Sequence, residues 1–447
     1  MDGNTLVAEF IHDTKWEALS PDVQRTTKLR LLDILGAAIS GTLTPVSKIT
    51  AAYAARAYPG DEATILMHGK TANAVGAAFA NGYAANGFDS DDGGIFTKGH
   101  PGAQLFPTVL ALSEKLNKSG ADLLTAMVVG YEVAFRAGRC WHDLHDVWQA
   151  CGSWGSMATA AAASHLMGLE PSIIKHALGI AEYHAPNLPM MRDIDDPAMV
   201  KHGIGWGALT GITSAELAAC GFTGIPSLLG FEKYKEWVSN IGDHFHLLDG
   251  DWFKEFASCG FGHNAVWCVR DMMQSHDIPV DKIAHIKVKT YHESARLGAE
   301  LPTTTEEAQF NTAWPLAAFI LEGEIGPQQM RDERLNDKKI INMAKKIEIV
   351  ESPEFTKWAT AQLNGDPDGR LASQVTITLE NGTVYDSGTS EAFGNDDGSK
   401  WDEPRMEAKF RWLLKDMISV ELIDKLIVMT WAFDELENVH NLTALLK

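Results

Sequence analysis

Apolar residues recur every three or four positions through most of residues 20–260, which predicts one helix after another. Ser20-Pro21 places an N-cap residue before a proline at the first helical position, and the apolar run that follows ends at Gly41. The segment TANAVGAAFANGYAANG consists almost entirely of small residues, as in a helix that its neighbours approach closely on all sides. The same spacing predicts further helices at residues 107–118, 121–137 and 156–167.

The periodicity changes near residue 280, where polar and apolar residues begin to alternate as in a half-buried strand. Asn381-Gly382 has the composition of a hairpin turn between two such segments. Strands are predicted at residues 282–291, 346–350, 374–379 and 383–385, with a helix at 310–321 between them. Helical spacing returns after residue 404.

We therefore predict a mostly α fold with an inserted α+β domain. A chain of 447 residues is too long for one compact core, so two parts are expected. Residues 1–270 and 395–447 are predicted to form one large helical domain from both ends of the chain, and residues 271–394 an α+β lid.

Composition narrows the class of protein. Apolar residues make up 45% of the chain, so it can bury a core without disulfides. The five cysteines form no CxxC pair, which favours reduced thiols in a cytoplasmic protein. We find no secretory leader and no apolar stretch of about 18 residues, so no membrane partner is expected. The formal net charge of −21 argues against nucleic acid, and it means that an anionic substrate needs a local cluster of cations.

The first candidate site is the loop at residues 88–107, between two predicted helices. It holds Asp89, Asp91 and Asp92, then a glycine pair, then Lys98 and His100. Acids, glycine and histidine in a loop between rigid helices suit catalysis. Alternatively, the carboxylates cap helix ends and the His100-Pro101 pair forms a turn.

A second candidate precedes the alanine-rich helix. Here His142, Asp143, His145 and Asp146 offer histidine–carboxylate neighbours that can tune one another as acid and base. Alternatively, this is a solvated loop. Neither loop has metal-ligand spacing such as HExxH, so we predict no metal in the reaction.

The third candidate, at residues 190–208, gathers Arg192, Lys201 and His202 ahead of alternating glycines. The glycines do not form GxGxxG after a strand or a Walker loop, so nucleotide binding is not expected. Cations beside a glycine backbone that a ligand can approach closely suit carboxylate binding, although pairing with nearby aspartates explains these cations equally well.

The fourth candidate is the segment KEFASCGFGH, which contains Cys259 and His263. Cys259 is either a nucleophile or a buried structural thiol.

Together these segments resemble the MmgE/PrpD family. The most specific stretch is GHPGAQLFPTVLALSEKLNKSGADLLTAMVVGYEVAFRAGR, at residues 99–139. The resemblance continues in order through CGSWGSMATAAAASHLMGLE, KHGIGWG, GFTGIPSLLG and EEAQFNTAWPLAAFILEGEIG. It implies a helical domain with an α+β lid, a homodimer and no organic cofactor.

The resemblance also implies site residues. The family's acidic loop matches Asp89, Asp91 and Asp92, its HP histidine matches His100, and its lysine falls near Lys201. We therefore expect His100 and Lys201 at the centre of the site, with Asp89 and Asp92 orienting or tuning them.

Other family positions differ in this chain. Position 146, a histidine in the family, is Asp146, with His145 one residue away. Cys259 stands where the family's decarboxylase has a histidine, and Trp314 where it has a tyrosine. These departures count against cis-aconitate as the substrate.

The family reactions move a proton on the carbon beside a carboxylate, which implies cofactor-independent chemistry on a small di- or tricarboxylate. We expect a hydro-lyase of the 2-methylcitrate dehydratase type; the alternatives are a dicarboxylate epimerase or isomerase, a decarboxylase, or a non-catalytic anion binder. The predicted catalytic residues are His100, His145, Asp89, Asp92 and Lys201. The predicted substrate-binding residues are Arg192, Lys98, His202, Cys259, His263 and Trp314.

Overall fold

The computed structural model describes residues 2–364, 366, 368–391 and 401–447. Helices dominate the first part of the chain, with two short antiparallel strand pairs. The helices are α1 Gly3–Asp13, α2 Pro21–Gly41, α3 Pro45–Ala57, α4 Ala74–Ala85, α5 Gly102–Lys115, α6 Gly120–Leu144, α7 Cys151–Leu166, α8 Pro171–His184, α9 Met191–Asp195, α10 Ile204–Ala219 and α11 Lys235–Val238. The strands are β1 Ala63–Ile65, β2 Lys70–Ala72, β3 Gly93–Gly94 and β4 Asp251–Trp252, and β1 pairs with β2 and β3 with β4.

The second part is α+β and returns to helix at its end. Its helices are α12 His263–Ser275, α13 His292–Ala295, α14 Thr305–Gln309, α15 Ala313–Glu322, α16 Pro327–Met330, α17 Lys338–Ala344, α18 Pro353–Leu363, α19 Glu403–Leu414, α20 Val420–Trp431 and α21 His440–Thr443. Strands β5 Ile283–Thr290, β6 Ile347–Glu351, β7 Ser373–Leu379 and β8 Val384–Ser390 form one sheet in the order β6-β5-β7-β8. Strand β5 is parallel to β6 and antiparallel to β7, and β7 is antiparallel to β8. The predicted fold class is confirmed.

Local sequence explains many element ends. Ser20 Oγ accepts the Val23 N–H at the start of α2, as the N-cap prediction requires. The predicted hairpin is also confirmed, because Gly382 has φ 86° in the turn between β7 and β8. The small residues of α10 allow close packing on α7: a Cβ at Gly211 would lie 1.9 Å from Thr159 Oγ1.

Helix α5 begins five residues before the predicted position at Pro107, and that prediction is wrong. Pro107 lies inside the helix. The helix begins at Gly102, whose N–H is accepted by Asp92 Oδ1 at 3.1 Å. A carboxylate from the preceding loop therefore satisfies a first-turn donor, which a sequence pattern does not reveal.

Buried apolar residues form two large clusters. The first contains residues from 7–253 together with 401–446, because α19 packs on α2. The second contains Phe88 and residues from 256–379, including α12. The predicted boundary at 270 therefore falls within a helix that packs in the second cluster, and the boundary at 395 lies outside the described residues. The division into two domains stays a prediction.

None of the described helices is by itself long and apolar enough to cross a membrane. The bent pair α2 and α3 passes the same test by length and composition. Many residues on both helices are buried within the chain.

One buried ion pair links the C-terminal helices to the helical core. Lys409 of α19 pairs with Asp33 of α2, and its Nζ also donates to Ser90 O at 2.8 Å. Both side chains are buried. Burial raises the pKa of Asp33 to about 6 although Lys409 opposes this shift.

We predict that Lys409→Met lowers stability by about 3–5 kcal/mol, because it leaves a buried carboxylate unpaired. The double variant with Asp33→Asn should recover much of this loss. Thermal unfolding midpoints measure both effects. Lys415→Met is the matched control, since Lys415 pairs with Glu324 at 2.9 Å on the surface and such pairs contribute about 0–1 kcal/mol. Equal losses in Lys409→Met and Lys415→Met would contradict this account.

Candidate active site

Three aspartates of the loop after α4 are buried rather than solvated. Asp89, Asp91 and Asp92 are each 0–1% exposed. Asn86 Nδ2 donates to Asp89 Oδ1 at 3.1 Å and to Asp91 Oδ1 at 2.8 Å. Asp89 has φ 52°, a left-handed conformation that aspartate tolerates better than most residues. The loop is therefore fixed by its own polar side chains.

His100 lies between two of these carboxylates. Its Nε2 is 3.2 Å from Asp89 Oδ1, and its Nδ1 is 3.1 Å from Asp91 Oδ2 and 2.9 Å from Asp92 O. Burial lowers the pKa of His100, but Asp91 and Asp89 outweigh this effect and raise it above the ordinary value. The structure thus favours an imidazolium that holds a proton.

Lys254 provides a positive charge that pairs with Asp89. Its Nζ is 2.9 Å from Asp89 Oδ2 and donates to Asp89 O at 2.8 Å. Burial raises the pKa of Asp89, but Lys254 and His100 outweigh this and hold it below its usual range. The pairing of β3 with β4 places Lys254 two residues beyond the ladder.

Asp92 faces away from His100 and supports the loop. Its Oδ2 accepts from the Tyr131 hydroxyl at 2.6 Å and from Arg30 Nη1 at 3.4 Å. Its Oδ1 accepts the Gly102 N–H. We infer that Asp92 positions the loop, because its oxygens are engaged by α2, α5 and α6.

Two consecutive residues before α10 adopt left-handed backbone. Lys201 and His202 have φ 44° and 54°, and Gly203 follows with φ 67°. Asp193 Oδ2 accepts the His202 N–H at 2.7 Å and is 3.1 Å from His202 Nδ1. Non-glycine residues in this conformation carry strain that surrounding contacts must hold, and such strain often marks functional sites.

This turn brings a second imidazole against the first. The rings of His100 and His202 stack with centroids 5.5 Å apart and planes 13° apart. Lys201 is fully buried behind them, and its Nζ donates to Gln309 Oε1 at 2.7 Å. Its Nζ also lies 5.3 Å from the centroid of the Phe310 ring.

A cavity opens in front of the two imidazoles. Its charged or titratable lining comes from Asp89, Lys98, His100, His202, Lys254 and Cys259. Its apolar lining includes Trp148, Met190, Ile194, Trp252, Phe261, Phe310 and Leu371. Cations on one side and apolar walls on the other suit a small anion with a carbon skeleton.

Lys98 lies at the edge of the cavity, with its Nζ 4.5 Å from the centroid of the Trp148 ring. Burial lowers the pKa of Lys98 to about 8. Its charge is therefore present below that pH and lost above it. Cys259 behaves differently, since burial raises its pKa to about 12 and keeps it a thiol.

Asp89, His100 and His202 have donor atoms within 4.8 Å of one another, a spacing that can hold a metal ion. Lys254 already neutralises Asp89 at 2.9 Å. His100 Nε2 is 3.2 Å from the other carboxylate oxygen, so both oxygens of Asp89 already have a basic partner and the arrangement fits an anionic ligand better.

Family models match the chain in two consecutive parts. The MmgE/PrpD N-terminal domain matches residues 5–240, and the MmgE/PrpD C-terminal domain matches residues 256–434. The chain belongs to the MmgE/PrpD family. The resemblance predicted from the sequence is confirmed.

Curated MmgE/PrpD-like relatives match over nearly the full length. The chain is 27% identical to a cis-aconitate decarboxylase of Homo sapiens, over 98% of this chain and 93% of the relative. It is 26% identical to the cis-aconitate decarboxylase of Mus musculus, over 98% and 92%. It is 24% identical to the cis-aconitate decarboxylase of Aspergillus terreus, over 95% and 92%.

The structure brings together some of the site residues predicted from the sequence. Asp89, Lys98, His100, His202 and Cys259 line the cavity. Asp92 and Lys201 lie directly behind that lining.

Other predicted residues lie elsewhere. His145 stacks on Trp141 outside the cavity lining, and Arg192 is exposed. Trp314 is buried in the second apolar cluster, where its Nε1 donates to Gln329 O at 3.0 Å. His263 is buried, with its Nε2 3.2 Å from Ser258 O, and burial lowers the pKa of His263 to about 3. Their roles remain predictions without support from this geometry.

Sequence reasoning missed Lys254, Trp148 and Phe310 as cavity residues. Lys254 is the first residue of the segment KEFASCGFGH, in which only Cys259 and His263 were singled out. A lysine that pairs with an aspartate 165 residues away leaves no local signal.

We predict that tricarballylate, an unreactive tricarboxylate, raises the thermal unfolding midpoint more at about pH 6.5 than at about pH 9.5, because Lys98 loses its charge between them. Lys98→Met should reduce this difference. Lys287→Met, at an exposed position of β5, is the control. The prediction is wrong if Lys98→Met and Lys287→Met respond alike.

Proposed function

We propose that this chain is a lyase acting on a small di- or tricarboxylate, with His100 transferring a proton at the carbon beside a carboxylate. The observation that carries the proposal is the buried imidazole of His100, held between Asp89 and Asp91 and facing a cavity with largely apolar walls. A positioned histidine contributes about 10²–10⁴-fold to a proton-transfer step.

The two lysines that line the cavity are the proposed carboxylate contacts. Lys98 and Lys254 both line it, Lys254 while neutralising Asp89, and His202 lies beside them in the lining. The chain as a whole carries a formal net charge of −21, so this local positive group is what attracts the anion. The apolar wall around Phe310 excludes water from the substrate's carbon skeleton.

Decarboxylation is the first candidate reaction. Loss of CO2 leaves a carbanion that must take a proton, and the raised pKa of His100 favours the protonated imidazole that can donate it. The names of the similar curated proteins support the same reaction.

Dehydration of the 2-methylcitrate dehydratase type is the second candidate reaction. It stays a candidate because Cys259 lines the cavity at the position where the family's decarboxylase has a histidine, which counts against decarboxylation. In this case His202 is the proposed base, because Asp193 orients its ring through Nδ1. His100 then protonates the departing hydroxyl.

The relatives named above do not support an epimerase. The homodimer that the family resemblance implies remains a proposal.

The decisive experiment uses a panel of di- and tricarboxylates that includes cis-aconitate and 2-methylcitrate, incubated in heavy water. Release of CO2 with one deuterium on the product carbon identifies decarboxylation. A new C=C bond absorbing in the ultraviolet, without CO2, identifies dehydration. Turnover of a substrate with no proton transfer at such a carbon would overturn the proposal.

We predict that His100→Ala and Lys201→Ala each lower kcat by at least about a hundredfold, the low end of an acid–base contribution. His145→Ala should have a smaller effect, since His145 lies outside the cavity lining. His292→Ala, at an exposed position, controls for handling of the protein. Near wild-type turnover in His100→Ala would remove His100 from the mechanism.

We also predict that turnover persists after chelation. Both carboxylate oxygens of Asp89 already have a basic partner, Lys254 at 2.9 Å and His100 at 3.2 Å. The measurement is the rate with excess EDTA against the rate after adding back Zn²⁺, Mg²⁺ or Mn²⁺. Loss of turnover in EDTA, restored by one of these ions, would contradict the prediction.

A further inference from the structure

A second cluster of donor atoms lies outside the cavity, in the turn before β4. His244 Nε2 is 2.9 Å from Asp249 Oδ2, and His246 Nδ1 is 3.2 Å from Asp249 Oδ1. The two imidazole rings meet edge to face with centroids 4.7 Å apart. One donor atom from each residue lies within 4.8 Å of the others.

The turn is held in this shape by contacts that do not use the three proposed ligand groups, the two imidazole nitrogens and the carboxylate. Gly250 N donates to His246 O at 2.8 Å, and Arg136 Nη2 donates to His244 O at 3.1 Å. Glu132 Oε2 accepts the His246 N–H at 3.1 Å. The ring of His246 stacks on Trp237 with centroids 4.2 Å apart. The donors are therefore positioned in advance, which lowers the cost of binding an ion.

The donor set is that of a transition-metal site. Zn²⁺ binds imidazole nitrogen and carboxylate oxygen at about 2.0–2.2 Å, so tetrahedral ligands lie roughly 3.3 Å from one another. The two nitrogen–oxygen separations, 2.9 Å and 3.2 Å, approach that value. His244 and Asp249 are about half exposed, which leaves a further coordination position open to water.

We propose that His244, His246 and Asp249 bind one divalent transition-metal ion of the Zn²⁺ class. This site is independent of the proposed lyase reaction. The strongly negative chain favours cation binding at its surface.

The turn is connected to the wall of the cavity. Arg30, which pairs with Asp92, also donates from Nη2 to Leu247 O at 2.6 Å. Ile95 N donates to Gly250 O at 2.9 Å. A bound ion should therefore stabilise the β3–β4 region and raise the thermal unfolding midpoint.

The test is titration of the metal-free full chain with Zn²⁺ by calorimetry, and with Co²⁺ by visible absorption, which reports coordination geometry. We expect one ion per chain. His244→Ala and Asp249→Asn should each weaken binding at least about a hundredfold, since even loss of an outer contact costs 10–100-fold. His292→Ala is the matched control, because His292 lies 3.0 Å from Glu351 without a second imidazole.

Two outcomes would overturn the proposal. One is the absence of saturable binding to the wild-type chain. The other is binding that survives in His244→Ala and is lost in His202→Ala, which would place the ion in the cavity. Both variants are checked for folding by circular dichroism, and Asp249→Asn, at an exposed position, serves if His244→Ala does not fold.

Discussion

The site depends on how four buried ionisable groups neutralise one another. Asp89 and Asp91 are buried without access to bulk water, and such carboxylates are costly unless cations pair with them. His100 and Lys254 supply those cations at 2.9–3.2 Å. The pairing that offsets the cost of burying the two aspartates also raises the pKa of the His100 imidazole. The proposed proton transfer and the stability of the loop therefore depend on one set of contacts.

Contacts from the surrounding helices hold the loop that carries Asp89, Asp91 and His100. Asp92 ties the loop to α2, α5 and α6 through Arg30, Gly102 and Tyr131. Lys409 reaches from α19 to Ser90 O and so connects the end of the chain to the same loop. The small residues of α7 and α10 bring the strained Lys201-His202 turn against the loop. The close packing of these helices thus contributes to the short distance between the His100 and His202 rings.

Features encoded by neighbouring residues were predictable from the sequence. The Ser20 cap, the Asn381-Gly382 turn and the alternation of β7 each rest on local geometry. The loop with Asp89 and His100 was recognisable because its acids and histidine lie close together between helices. Features that depend on distant pairing were not. Lys254 reaches Asp89 only through the fold, and Asp92 accepts the Gly102 N–H at the start of α5, five residues before Pro107.

The central claim is that Asp89 and Asp91 keep His100 protonated in front of the cavity. The most direct measurement is a nuclear magnetic resonance titration of the imidazole carbons with labelled histidine, with His100→Gln used to assign the signal. The account predicts that His100 titrates above the ordinary value of about 6.5 and that Asp91→Asn lowers its pKa. A His100 that is already neutral below that value in the wild-type chain, or that does not respond to Asp91→Asn, would contradict the account.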